Sequence, residues 1–143
     1  MGRPATPGFE PDAPRLAVIG AGARGAAYAR IARRLGAEVV AVADPDPAAR
    51  AAAAAEHGAW TCADWRELMA QGRLADAAVI ATPDREHVGP AVAAADLGYD
   101  ILLEKPMAPT EAEALKIVEA AERAGVILAV CHVLRYTAYT QAV

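Results

Sequence analysis

The run Leu16-Ala17-Val18-Ile19-Gly20-Ala21-Gly22-Ala23-Arg24-Gly25 sets the architecture of this chain, because a short stretch of strand formers passes directly into three glycines spaced G-x-G-x-x-G. The residues that follow, Ala26 to Leu35, read as a helix. Strand, glycine turn and helix in that order are what a pyrophosphate site needs, since phosphate oxygens must come close to backbone N–H groups at a helix N-terminus. Gly20 is expected to make the tight turn, Gly22 to remove the Cβ that would block the phosphate, and Gly25 to let the helix approach the first strand. On this reading Gly20, Ala21, Gly22, Ala23, Arg24 and Gly25 together form the phosphate-binding turn.

A second apolar run, Glu38 to Ala43, closes with Asp44, nineteen residues after Gly25. That spacing is the one expected for a carboxylate accepting hydrogen bonds from an adenosine ribose. Asp46 follows almost at once, and no Arg or Lys appears before Arg50, so a 2'-phosphate is expected to meet like charge rather than a cation. NAD is therefore preferred over NADP. Asp46 is read as the cap of the next helix, with Pro47 in its first position.

The remainder alternates in the same way. An alanine-rich helix is expected from Pro47 to His57, stopped by Gly58, then a brief strand over Ala59 to Cys62 and a helix over Trp65 to Gln71 capped by Asp64. A buried strand from Asp76 to Ala81 precedes a helix from Asp84 to Leu97. Ile101 to Glu104 reads as the next strand, Thr110 to Ala124 as an amphipathic helix with Thr110 and Glu113 in capping-box positions, and Val126 to Cys131 as a sixth strand. The fold class is α/β: one doubly wound, mostly parallel sheet over residues 15–136, with right-handed crossovers and helices on both faces. Met1 to Pro14, with four prolines and two glycines, reads as a disordered leader, lacking the hydrophobic centre of a secretory signal.

Several function classes are excluded by composition. A formal charge of -4 without a basic stripe argues against nucleic acid or an anionic membrane as partner, and no apolar run is long enough to span a bilayer. Cys62 and Cys131 have no paired spacing, and His57, His87 and His132 form no ligand cluster, so neither a metal site nor a disulfide framework is expected and a reducing cytoplasm is the default. The methionines and both tryptophans read as packing.

In a parallel sheet, ligands lie beyond the carboxyl ends of the strands. This singles out Thr82-Pro83, Glu104-Lys105-Pro106 and the segment from His132 to Tyr136. Thr82 is suited to bonding cofactor or backbone, and the two prolines stiffen the exits from the sheet. Lysine is the side chain best fitted to lose and regain a proton once desolvated. His87 is read either as packing beneath the cofactor with a backbone partner or as a ligand contact. His132, Arg135 and Tyr136 are candidates to line the cleft on the substrate side.

Taken together, Gly20 to Gly25, Asp44, Thr82-Pro83 with His87, Glu104-Lys105-Pro106 and His132-Val133-Leu134-Arg135-Tyr136 resemble the Gfo/Idh/MocA oxidoreductases over residues 15 to about 140. The resemblance implies a Rossmann domain for NAD or NADP, with Lys105 as the catalytic residue beside nicotinamide and substrate hydroxyl, Glu104 adjoining it, and often a cis peptide before Pro106. Sugars, inositols and related polyols are the implied substrates. Hydride leaves a carbinol carbon only as its hydroxyl proton departs, so a base must lie within reach of that oxygen; burial and a positive ring would ready a lysine for this, and Glu104 would oppose it. The resemblance also implies a second domain with an open antiparallel sheet, which supplies substrate contacts and commonly mediates homo-oligomerisation. Residues 137–143 then read as the start of the crossing toward it. Alone, the chain is expected to bind NAD with little turnover. An NAD-dependent glycosidase of the same family and a non-enzymatic NAD-sensing module are the alternatives.

Overall fold

The computed structural model describes residues 12–142. The leader expected over residues 1–14 lies almost wholly outside them. Six strands form one parallel sheet: β1 (Arg15–Ile19), β2 (Glu38–Ala43), β3 (Trp60–Cys62), β4 (Ala77–Ile80), β5 (Asp100–Leu103) and β6 (Leu128–Val130), in the order β3-β2-β1-β4-β5-β6. Chain order reverses between β1 and β4. There the two halves of the sheet turn outward in opposite directions and leave a crevice at the carboxyl ends.

The strand sequences explain why both faces are covered. Ala17 and Ile19 of β1 point into one core with Ala41, Ala43, Ala78, Ile80, Leu103 and the inner residues of three helices, α3 (Trp65–Ala70), α4 (Val88–Asp96) and α5 (Glu111–Ala124). Val18 points the other way, joining Val39, Val42 and Val79 against Ala29 of α1 (Ala23–Arg34) and Ala53 of α2 (Pro47–His57). Period-2 alternation with both sides buried gives the unbroken apolar runs seen in the sequence. The helices contribute mainly alanine to these contacts, so they seat close to the sheet.

Helix ends follow their chemistry. Asp46 accepts from the Ala48 N–H with Pro47 in the first turn, and Gly58 closes α2 in the left-handed region. Asp64 and Glu67 form a reciprocal capping box on α3, and Thr110 caps α5, whose end is Gly125. The bond from the Arg66 N–H holds the Asp64 carboxyl below its usual range.

Some boundaries differ from the reading of the sequence. The first helix starts at Ala23, inside the glycine motif, rather than at Ala26. The helix expected from Asp84 is two pieces, a 3-10 turn at Asp84–Glu86 and then α4, with His87 between them. The sixth strand is shorter than expected, and Val133–Tyr136 is a 3-10 turn followed by a short α6 (Ala138–Gln141).

Candidate functional site

An open cleft of about 540 Å³ occupies the crevice between β1 and β4. Gly20, Gly22, Ala23 and Arg24 form one wall, Asp44 and Pro45 the end beyond β2, and Thr82, Pro83 and Glu86 the opposite wall. The sequence therefore brings most of its expected nucleotide residues to a single place.

Each glycine has a separate reason to be there. Gly20 sits at φ +88°, and a Cβ on it would lie 2.6 Å from the Ala81 carbonyl oxygen at the end of β4. A Cβ on Gly25 would fall 1.8 Å from the Gly20 carbonyl oxygen and 3.3 Å from Cγ1 of Val18, so this glycine seats α1 on the turn and on β1. Gly22 caps α1 and faces open space, with no atom within 4 Å of an added Cβ. The space that its missing side chain leaves belongs to the cleft, which is the fit expected of a phosphate cradle at a helix N-terminus. Ala21 points away from the cleft but contributes its N–H elsewhere.

That N–H is donated to Asp44, at 2.6 Å from Oδ2, while the Asp46 N–H reaches Oδ1 at 2.8 Å. The carboxylate thus locks the end of β2 onto the glycine turn. Each of its oxygens keeps lone-pair capacity for a further donor. Arg50 corrects one sequence inference: although six residues away along the chain, its Nη1 folds back to the carbonyls of Asp44 at 2.8 Å and Pro45 at 2.9 Å. A cation therefore does stand near the acid, because one turn of α2 returns Arg50 to the loop, but its bonds run to backbone oxygens.

Trp65, read from sequence as packing, also lines the cleft, together with Ala43, Ala63 and Pro45. Its indole rests on Gly89, where a Cβ would approach Cζ2 to 3.0 Å, and the Arg66 guanidinium sits 4.4 Å from the ring centroid. The ring's direction is set by packing on α4, which no local feature of the sequence encodes.

The second group of residues lies beside this cleft rather than in its walls. Lys105 follows β5 and is exposed, so its desolvation is not supplied by this chain's own residues. The peptide between Lys105 and Pro106 is cis. Glu104 is only 7% exposed; its Oε1 accepts from the Tyr28 hydroxyl and its Oε2 from the Lys105 N–H at 3.0 Å. Burial, followed by the hydrogen bond to Glu104 and then by the neighbouring Cys131 thiol, raises the Tyr28 phenol far above its ordinary range. Cys131, at the end of β6, is raised by burial too. Tyr28 carried no sequence signal, since an aromatic residue midway along a helix is usually core.

His87 is fully buried. Its Nδ1 is 2.8 Å from the Pro106 carbonyl oxygen and its Nε2 is 2.9 Å from that of Thr82, so the ring spans the exits of β4 and β5. The Thr82 hydroxyl donates to the Glu86 carbonyl at 3.2 Å. His132, Arg135 and Tyr136 are exposed on the turn after β6 and stand apart from the cleft walls.

Residues 14–132 match the model of an oxidoreductase family with an NAD-binding Rossmann fold, GFO_IDH_MocA, and the chain belongs to that family as its NAD-binding domain. Inositol 2-dehydrogenase 4 of Saccharopolyspora erythraea is 40% identical over 114 residues, which are 78% of this chain and 33% of that protein. The inositol 2-dehydrogenase of Pseudarthrobacter chlorophenolicus is 46% identical over 110 residues, 74% of this chain and 32% of that protein. The chain therefore spans about a third of the length of the curated relatives it matches. Among solved structures, the WlbA dehydrogenase from Bordetella pertussis in complex with NADH and UDP-GlcNAcA superposes with a TM-score of 0.82 at 32% identity, covering 91% of this chain and 40% of that one.

Proposed function

We propose that this chain is the cofactor half of an NAD-dependent dehydrogenase that acts on the CH–OH group of an inositol, a sugar or a related polyol. The observation that carries the reading is the joining of the Asp44 carboxylate to the Ala21 N–H at the mouth of the cleft, which makes the glycine turn and the ribose-type acid one rigid unit. The family and the relatives' names as inositol dehydrogenases support the reaction class.

In this proposal the N–H groups at the start of α1 hold the pyrophosphate, with Arg24 beside it, and Asp44 accepts from the ribose hydroxyls. Thr82 and Pro83 form the wall opposite the glycine turn, and Trp65 with Pro45 and Ala63 encloses the adenosine end. NAD, when bound, supplies the hydride acceptor. Lys105, in its amine form, takes the hydroxyl proton at Nζ as the carbinol C–H breaks. His132, Arg135 and Tyr136 meet substrate from the rim, and residues 137–143 begin the crossing to a substrate domain that also mediates self-association. We place the protein in a reducing cytoplasm, a reading supported by Cys62 and Cys131, both buried and free.

Calorimetric titration with NAD and, separately, NADP tests the cofactor assignment. Binding of NAD is expected to be the tighter, and Asp44→Ala is expected to weaken it by about 1.5–3 kcal/mol through loss of charge-assisted bonds. Unchanged affinity in that variant would remove Asp44 from the site.

A further inference from the structure

Lys105 is exposed, yet the backbone on either side of it is hydrogen-bonded to buried side chains from both layers of the fold. From one layer, Tyr28 of α1 donates its hydroxyl to Glu104 Oε1, and Glu104 Oε2 accepts from the Lys105 N–H at 3.0 Å. On the other layer, His87 places Nδ1 2.8 Å from the Pro106 carbonyl oxygen. Glu104 makes no ion pair among the described residues, so a buried carboxylate is held by the phenol and by its own neighbour's amide. Burying a carboxylate without a cation is costly unless its oxygens are hydrogen-bonded, and among the described residues the Tyr28 hydroxyl is the one side-chain donor to it. Tyr28 stands on the helix that starts at the glycine turn, one turn beyond Arg24.

We propose that Tyr28 is a positioning residue for Lys105: acting through the Glu104 carboxylate, it ties the peptide presenting Lys105 to the helix of the glycine turn. This rests on the reading of Lys105 as the group beside the cofactor. The tie fixes the distance between the pyrophosphate end and the reacting end of the site, a separation that no single element sets, because the two ends belong to different strands. Breaking it leaves the glycine turn, Asp44 and the cleft walls in place while freeing Glu104 and the backbone of Lys105.

The chain has two lysines, Lys105 and Lys116, and Lys116 lies exposed on α5, which makes it an internal reference. The full chain is acetylated with a water-soluble succinimidyl ester, with and without saturating NAD, and the two sites are quantified by mass spectrometry. In the unaltered chain NAD is expected to slow labelling at Lys105 relative to Lys116 by about fivefold or more. In Tyr28→Phe, NAD affinity is expected to stay within about threefold while the protection of Lys105 is lost. Affinity and protection falling together mean a merely structural tyrosine and overturn the proposal, as does full protection in Tyr28→Phe. No protection in the unaltered chain, with NAD bound by calorimetry, instead defeats the placement of Lys105 beside the cofactor, and the proposal with it. Should Tyr28→Phe not fold, Glu104→Met, which roughly keeps the volume but removes both carboxylate acceptors, is read in the same way; retained protection there overturns the proposal. Hydrogen exchange at the Lys105 amide of the unaltered chain, expected to be slower than that of an unbonded amide by about tenfold or more, gives a reading that needs no variant, and exchange at the unbonded rate counts against it.

Discussion

His57 shows how a single side chain can make stability depend on pH far from the cleft. It closes α2, its side chain is 3% exposed, its Nδ1 has no hydrogen-bond partner among the described residues, and its Nε2 lies 3.8 Å from Glu56, a carboxylate also approached by Arg30 at 3.6 Å. Burial lowers the imidazole below its ordinary value of 6.5, outweighing the pull of Glu56 and reinforced by Arg33 and Arg30. The unfolded chain therefore takes up this proton at a higher pH than the native one. The stability due to neutral His57 is fully present above the unfolded value and drains as pH falls from there through the folded one. Urea midpoints measured between about pH 7.5 and 5.5 are expected to fall in the unaltered chain and to fall less in His57→Gln; equal slopes would show that burial does not act on this ring. The same kind of neighbour effect explains what the sequence concealed at this scale. Asp44 is legible because its role depends on spacing from the glycines. Tyr28, Trp65 and Arg50 are not, because their directions are set by Glu104, Gly89 and the Asp44 loop, which lie on other elements or on a returning turn.

Among the elements, the glycine turn and α1 act as one piece, and their exposed Gly22 and buried Gly25 do different work. Gly25 lies inside α1, where an added Cβ meets the Gly20 carbonyl oxygen at 1.8 Å, backbone that cannot swing aside. Gly22 carries φ -63° and has no protein atom in the path of a Cβ. Gly25→Ala is expected to cost about 3 kcal/mol or more of stability by forcing α1 off the turn. Gly22→Ala is expected to keep stability within about 1 kcal/mol and to weaken NAD by about tenfold or more, since its methyl meets the ligand alone. Thermal unfolding and calorimetry on both variants check the contrast, and the reverse pattern would exchange the two roles. The six strands and their alternation with helices in one parallel sheet were legible here because both faces of the sheet are buried and several helices end in a recognisable cap. Boundaries were less so. The helix starting at Ala23 runs through Gly25, a residue whose propensity argues against helix interiors, and the close approach to Gly20 outweighs that cost. At Asp84 the break before α4 follows from His87, whose ring must turn inward to reach two carbonyls.

For the molecule as a whole, the cleft between β1 and β4 is walled by this chain's own residues while Lys105 stands exposed beside it. The cleft is bounded on two sides by strand exits from β1, β2 and β4, all of which the 143 residues supply. Lys105 and the turn from His132 to Tyr136 stand exposed, and Leu134 and Tyr136 are 72% and 75% accessible. Binding of NAD asks only for the first region. Hydride transfer asks for a substrate carbon held close to the cofactor in a place from which water is excluded, and that positioning is worth several kcal/mol of the barrier, about 7–11 in the best intramolecular cases. On the proposed function, a polyol resting on one wall would retain most of its rotational freedom and its hydration. The 143-residue chain is therefore expected to bind NAD in calorimetry and, with saturating NAD and a panel of inositols and sugars, to show NADH formation at least about a thousandfold slower than an ordinary dehydrogenase turnover of about 10 s⁻¹. Lys105→Ala should lower any residual rate while leaving NAD affinity within about threefold. Turnover at an ordinary rate would mean that this chain alone, or as an assembly of copies, builds the second wall. Product formed without net NADH would point instead to the transient oxidation of a glycosidase, and NAD binding with no reaction on any polyol, measured once a substrate domain is joined to the chain, would favour a sensing module in which the cleft serves occupancy alone.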